Sequence, residues 1–480
     1  MLTIDDEPAI DLIEWTSDGQ LLATASASGT IHVYLSQLKI LGDKYGTSLA
    51  FLSSLLEVTV FNVHEDVQDS VMIVRVEIEP SHIAIGPFHL AVAMNNRLWL
   101  YSLTAGAAAV AESADQHQNH QQQQQLNLLV GEHEYVGIVK TVKMNAHYIA
   151  VQFTNGSLQL HAIENSGTGG GDSASHQEHI YHYPDGAEMA ASAKSNGGGS
   201  SKSSASVTSI ALTADFLIFS VASGQVHYFI LEDWAAVVVY RHHPPGVGIS
   251  LLEANLNGTR LILQDDRGDV FILNVYGEQV VAMAPEHVPT TTNRSGGGAP
   301  LKALWESWIA DRAVFTLSDG KFIYVYAAVR ATVEGGKVEY VGKMKIPGGQ
   351  FPLLLYNGVI VCQTKSGKTS NFILSTHDYS IKATASEAAQ REVFRSILKL
   401  RRWADAMKIC SYLNDAGGGV GTFWKELGEA ALYDLQVDVA IRVYSHLKQY
   451  GLVHSLQQYK REEEQSLFAG YLAELLGRFD

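Results

Sequence analysis

From the first residues to about position 380 the chain alternates apolar and polar side chains in runs of five or six, and each run ends in a short polar turn. Alternation with period two sends successive side chains to opposite faces of a strand, and the turns mark hairpins. The first unit sets the theme with "AIDLIEW", "QLLATAS" and "TIHVYL", separated by "TSDG" and "ASG". The pattern returns in "FHLAVAMNNRLWLYSL", "HYIAVQFTNGSLQLHAI", "DFLIFSVASGQVHYFI", "GTRLILQDDRGDVFILNV", "RAVFTLSDGKFIYVYAA" and "GVIVCQTKSGKTSNFIL". Counting the first unit, these make seven hairpins, and dipeptides such as NG and SG supply the tight bends. With the long inserts set aside, the spacing approaches the ~40 to 45 residues of a WD-type blade. A β-sandwich needs far fewer strands, and a parallel α/β fold needs amphipathic helices between them. Residues 1–380 therefore predict a WD40-like β-propeller of about seven blades, although no unit keeps the Trp-Asp dipeptide.

Three inserts interrupt the theme: 103–133 with "QQQQQ", 164–206 with "GTGGGDSASH" and "KSNGGGSSKSSAS", and 289–299 with "NRSGGG". Such composition buries too little apolar area to offset ordering entropy, which predicts disordered loops at the propeller rim. Near residue 384 the period changes from two to 3.6. "TASE" offers a capping box, Thr384 with Glu387, which would satisfy the free amides at a helix start. "REVFRSILKL" and "RRWADAMKICSYL" form one helical pair, the second with Ala406, Ile409, Cys410 and Leu413 on one face. After "GGGVG", Trp424, Leu427, Gly428 and Ala431 fall at i, i+3, i+4 and i+7, and Ala440, Val443, Tyr444 and Leu447 repeat the spacing. Each helix thus carries one apolar stripe that needs neighbours. Trp424, Leu427, Gly428, Ala440 and Tyr444 match the tetratricopeptide pattern, while Ala431 stands where an aromatic is usual and Leu452 where Pro is usual. We read these five as packing residues. A third unit, with Phe468, Tyr471, Leu472 and Leu475, runs to Asp480. Residues 384–480 predict the start of a TPR-like α-solenoid of two and a half repeats, fewer than such an array normally needs.

Charge and cysteine content narrow the function classes. A length of 480 residues with 46% hydrophobic content fits two domains with folded cores. Against 34 basic residues stand 50 acidic ones, a net charge of −16. That field opposes nonspecific binding to nucleic acid or anionic lipid. Cys362 and Cys410, both in apolar surroundings, read as core residues of a protein in a reducing compartment. The start, "MLTIDDEPAIDLIEW", has acidic residues where a signal peptide needs basic ones. The most apolar segments are broken by polar residues well short of the ~18 needed to span a bilayer.

Candidate chemistry is sparse. His176, His179 and His182 would share one face of a helix, but no Cys or outer-shell framework accompanies them, and no metal site is expected. "DRGD", with Arg267, Gly268 and Asp269, reads as a hairpin turn, as do Asp18-Gly19 and Asp319-Gly320. No catalytic motif appears at a working spacing, so we expect no enzyme and no cofactor. A propeller hydrolase would draw charged residues into its channel from several blades; a lining of apolar and small residues would dispose of that reading. Arg391, Arg395, Lys399 and Arg402 fall at i, i+4, i+8 and i+11, a basic stripe in an acidic protein. It is a candidate contact for an acidic partner subunit or a phosphoinositide head group, the alternative being a solvated face.

A propeller leading into a helical solenoid is a scaffold architecture shared by vesicle coats and intraflagellar transport particles. The segments "VEIEPSHIAIGPFHLAVAMNNRLWLY", "LTADFLIFSVASGQVHYFILEDW", "NGTRLIL", "LWESWIADRAVF" and "PLLLYNGVIVCQTKSGKTSNFILSTH" closely resemble the WD-repeat subunit of intraflagellar transport complex A, the hundred-and-forty-four-kilodalton member. The resemblance runs from about residue 50 to the end. It implies two tandem propellers and a long solenoid, of which this chain would supply the second propeller and the first solenoid turns. It further implies assembly with other complex A subunits, contact with a tubby-like cargo adaptor, and a place in the cytoplasm and cilium, in retrograde transport and receptor entry. A vesicle-coat subunit would share the architecture and differ in partners.

Overall fold

The structure is a computed structural model and describes residues 9–17, 19–65, 71–104, 129–163, 180–184, 205–275, 279–284, 288–289, 301–308, 314–377, 387–415 and 420–478. Seven antiparallel sheets form a closed ring. Their innermost strands are Gly42–Tyr45, His82–Ile85, Val139–Met144, Val207–Leu212, Ile249–Ala254, Lys302–Trp305 and Gln350–Tyr356. Each touches the next, and the seventh touches the first. Among the described residues blades 1 to 6 carry four strands and blade 7 carries three. The core lies between blades, where strands alternate a fully buried middle against half-exposed ends. Second strands such as Tyr148–Phe153 and Phe216–Val221 are buried over five of six positions, as expected of strands covered by a sheet on each side.

The ring has the expected number of blades but not the expected membership. Strands Ile10–Trp15, Leu21–Ser26 and Ile31–Leu35 make a separate three-stranded sheet that pairs with no other strand among the described residues. Leu12, Ile13, Trp15, Ile31 and Val33 are each more than half exposed. The place of this unit in the ring is taken by residues 42–75, which sequence reading passed over. That blade turns at Leu55-Leu56, between Ser54 and Glu57, with a register shift beside it. An apolar bend lacks the Gly or Asn that advertises a hairpin, so the turn leaves no mark in the sequence.

Among the described residues blade 7 closes onto blade 1 with three strands. Leu353, Leu354 and Val361 pack on Leu49, Phe51 and Phe61. Gln363, fully buried, donates to the Leu52 carbonyl at 2.9 Å and accepts from the Leu41 amide at 3.1 Å. The Leu38 amide adds a bond to the Lys365 carbonyl at 2.7 Å. Gln363→Leu should strand two backbone groups at this seam and lower stability by about 1–3 kcal/mol, read as a lower urea midpoint with unchanged slope.

Strands Leu129–Glu134 and Tyr181–Tyr183, the fourth strands of blades 2 and 3, fall inside two of the spans read as inserts. Residues 105–128, 164–179, 185–204 and 290–300, which make up the rest of the three inserts, lie outside the described residues.

Among the described residues six helices follow: α1 (Glu387–Lys399), α2 (Trp403–Asp415), α3 (Val420–Tyr433), α4 (Val437–His446), α5 (Tyr450–Tyr459) and α6 (Gln465–Leu475). Each of α1 to α4 packs on its successor, α4 packs on α5, and α6 returns to α3. The helix α5, whose sequence contains Gly451 and only a short apolar stripe, was not read from the periodicity. With it the array comprises three helical pairs. Thr384 lies outside the described residues, as does the Glu387 side chain, so the proposed capping box does too. No helix among the described residues is long and apolar enough to cross a membrane.

Candidate functional site: the propeller–solenoid junction

The five packing residues of the tetratricopeptide pattern are buried. Trp424 and Tyr444 are 5% exposed, Leu427 and Ala440 fully buried. The Trp424 ring lies 4.2 Å from that of His446 at 30°. A Cβ at position 428 would stand 2.8 Å from Tyr444 Cζ, so glycine there lets α3 and α4 approach across the tyrosine ring. Phe394, Ile397, Cys410, Phe423, Leu427 and Val443 surround the tryptophan in one apolar cluster.

The outer hairpin of blade 6, Phe322–Thr332 and Gly335–Lys345, has strands of 11 residues and reaches out to the helices. At its tip the Val333 amide donates to the Tyr433 carbonyl at 3.0 Å. The Tyr433 hydroxyl donates to Glu334 at 2.8 Å, and Glu334 also pairs with Arg478. Lys337 and Arg478 stand over the Tyr433 ring at 5.6 and 4.8 Å. Arg401, between α1 and α2, holds the deeper part. Its backbone adopts φ +58°, a left-handed turn that aims the side chain back between the two domains. Nη1 reaches Glu339 of the hairpin at 2.7 Å, and Nε and Nη2 reach Asp434 of the solenoid at 2.5 and 3.2 Å. Nη1 also donates to the Leu398 and Lys399 carbonyls at the end of α1, the former also accepting from the Arg401 amide at 3.0 Å. Asp434 is 4% exposed. Burial pushes its carboxyl up to about 6, with Arg401 pulling the other way. Beside this triad lies an open cleft of about 460 Å³, bordered by Arg260, Arg330, Arg401, Trp403, Asp434 and Phe468.

The basic stripe is not one free face. Lys399 donates to the Tyr340 carbonyl of blade 6 at 3.3 Å, and Arg402 donates to Asn357 of blade 7 at 2.6 Å. Arg395 pairs with Glu426 of α3 at 3.1 Å, and Arg391 lies over the Phe423 ring at 5.8 Å. All four groups thus engage this chain, two of them fastening α1 and the turn after it to the propeller. Leu400, fully covered, joins the core between blades 6 and 7. Sequence reading missed Arg401 because it lies off the stripe's period. The one available signal for its partner was the charge of Asp434 inside an apolar run.

The remaining candidates resolve simply. Gly268 adopts φ +94°, and Asp265 accepts from the Arg267 and Asp269 amides at 2.9 Å, the geometry of a hairpin turn. His176 and His179 lie outside the described residues; His182 is exposed on the last strand of blade 3, where helical spacing does not apply. Among the described residues no three metal-capable side chains converge. Cys362 and Cys410 are buried free thiols, pushed up to about 12 by burial.

The channel is not lined by apolar and small residues, contrary to the condition set for dismissing a hydrolase. Lys143 of blade 3 meets Asp43 of blade 1 at 2.6 Å, and Lys44 of blade 1 faces Glu253 of blade 5 at 3.7 Å. These blades are not neighbours, so the ion pairs cross the channel itself. Asp43 also accepts from the Ile85 amide at 3.4 Å. Each carboxylate therefore faces an ammonium.

Residues 49–377 match the family model described as the WDR19 second beta-propeller. The chain belongs to the WD repeat-containing protein 19 family. It is 36% identical to WD repeat-containing protein 19 of Mus musculus over the whole chain and 32% of that protein, and 35% identical to that of Homo sapiens over 98% and 31%. WD repeat-containing protein dyf-2 of Caenorhabditis elegans is 29% identical over 97% of the chain. The chain thus spans about a third of the length of these family members. Among solved structures, the Cps50 (Swd1) propeller domain of Myceliophteria thermophila covers 71% of the chain at 14% identity, with a TM-score of 0.45 and 99% of its own length matched.

Proposed function

We propose that this chain is part of a non-enzymatic scaffold subunit of intraflagellar transport complex A, acting in retrograde ciliary transport and in the entry of membrane-protein cargo into cilia. Membership of the WD repeat-containing protein 19 family supports this reading. The physical observation that carries it is the junction: Arg401, Lys399, Arg402 and the blade 6 hairpin fix the solenoid to the ring, so two large surfaces keep one relative orientation. A scaffold needs that constancy more than it needs chemistry. The partners are other complex A subunits and a tubby-like cargo adaptor, met in the cytoplasm, at the ciliary base and in the cilium. The separate first sheet, with apolar side chains exposed on both faces, fits as a blade of a preceding ring in the longer protein. Affinity purification of the full-length protein from ciliated cells should recover complex A subunits in stoichiometric yield. Recovery of vesicle-coat subunits instead would overturn the proposal.

A further inference from the structure

We propose that the cleft at the propeller–solenoid junction binds an acidic peptide segment of a partner protein, with a large apolar side chain among Trp403, Leu435 and Phe468 and a carboxylate on Arg260 and Arg330. The cleft volume of about 460 Å³ lies within the roughly 300–1,000 Å³ of ligand sites and exceeds what a lone ion fills. Its lining holds three guanidinium groups and one carboxylate. Arg401 is committed to that carboxylate, Asp434, to Glu339 and to two carbonyls. A ligand anion therefore meets Arg260, which opens the blade 5 strand Arg260–Asp265, and Arg330, exposed on the blade 6 hairpin. Both also engage this chain, but a guanidinium presents five N–H donors in a planar fork and can share them with a ligand carboxylate. The chain's net charge of −16 opposes an acidic ligand at long range. Charge alone would not hold one, and the half-buried Trp403, Leu435 and Phe468 supply an apolar wall for an anchoring side chain. Gln436, exposed at the border of the cleft, favours a peptide over a simple anion. Its Nε2 donates to the Asp434 carbonyl at 3.4 Å, which leaves Oε1 to accept an N–H, and a peptide backbone brings that donor. Peptide binding here needs no complex A subunit, so its failure and failure of the purification above are separate results.

The probe is an acetylated and amidated peptide, Gly-Glu-Glu-Phe-Glu-Gly, titrated by calorimetry into the whole chain beside versions with glutamine for glutamate or alanine for phenylalanine. The parent peptide should bind one equivalent saturably, and each altered peptide should bind about tenfold more weakly. Arg330→Gln should weaken the parent about tenfold and leave the glutamine peptide unchanged, a coupling that marks the carboxylate contact. Ala331→Leu should weaken parent and glutamine peptides alike, because Ala331 also lines the cleft and the larger side chain fills it without removing charge. Arg330 is exposed and Ala331 half-buried on the hairpin, so both variants should melt close to wild type. Should Arg330→Gln fail to fold, Arg260→Gln repeats the charge test from blade 5. No saturable binding of the parent, equal binding of the glutamine or alanine peptide, or unweakened binding by either the arginine variant or Ala331→Leu would each overturn the proposal.

Discussion

Trp424→Ala should lower the stability of the helical array by about 3–5 kcal/mol, the range for truncating a large aromatic in a core. The ring is 5% exposed and sits among Phe394, Phe423, Leu427 and Val443, contributed by three different helices. Their backbones are fixed by the packing of α1 on α2 and α3 on α4, so the void cannot collapse cheaply. The indole N–H is buried with no hydrogen-bond partner. Trp424→Phe removes the unsatisfied donor but leaves a smaller void, and should cost less than the alanine variant, about 1–3 kcal/mol. Because the cluster around Trp424 is built from helical residues alone, the change should be followed by helical circular dichroism rather than by a single global transition. Loss of less than 1 kcal/mol in the alanine variant would mean that the tryptophan faces solvent.

That tryptophan was legible in the sequence, and the reasons mark the limit of what periodicity can say. The spacing of Trp424, Leu427, Gly428, Ala440 and Tyr444 encodes a contact between helices adjacent in the chain, and local patterning is enough to find it. Propeller blades are local in the same way, each hairpin meeting its successor, which is why six of the ring's seven could be read, the count of seven being reached only because the first sheet stood in for the blade at 42–75. The first sheet shows where locality fails. "AIDLIEW" and "QLLATAS" alternate as well as any blade, yet nothing in them says whether the covering sheet comes from within these residues or from elsewhere. The blade at 42–75 failed for the opposite reason, its Leu55-Leu56 bend carrying no turn signal. Arg401 and the channel lysines were invisible because their partners lie far away in sequence: Glu339 is 62 residues from Arg401, and Asp43 is 100 from Lys143. The basic stripe was a true pattern with another use. Its charges face α3, the hairpin of blade 6 and the turn of blade 7, and the last two come within reach only when the propeller and the helices dock.

Arg401→Met should uncouple the solenoid from the propeller and cost about 3–5 kcal/mol, the usual result of removing one member of a buried ion pair. The methionine keeps much of the stem but leaves Asp434, 4% exposed, and Glu339 facing each other without the guanidinium. It also removes the side-chain hydrogen bonds to the Leu398 and Lys399 carbonyls. Position 401 keeps its φ of +58° in either case, so backbone strain does not contribute to the difference. Acidity gives the test its specificity. In the folded wild type Asp434 is raised to about 6 by burial despite the pull of Arg401. Since that lies above the value in the unfolded chain, protonation of this group favours the fold as pH falls through about 6 towards the ordinary carboxylate range near 4. Without Arg401 the carboxyl is raised further, and the variant takes up its proton at higher pH than wild type does. The stability deficit of Arg401→Met should therefore be largest above neutrality and shrink as pH falls through about 6, below which Asp434 is neutral in both proteins. Asp434→Asn in the Arg401→Met background should remove most of that pH dependence and recover part of the stability, because a neutral amide in the same place needs no cation. A deficit that stays constant between pH 8 and 5 would show that the guanidinium acts through packing alone, and no deficit at any pH would show that the ring and the helical array are held together by other contacts.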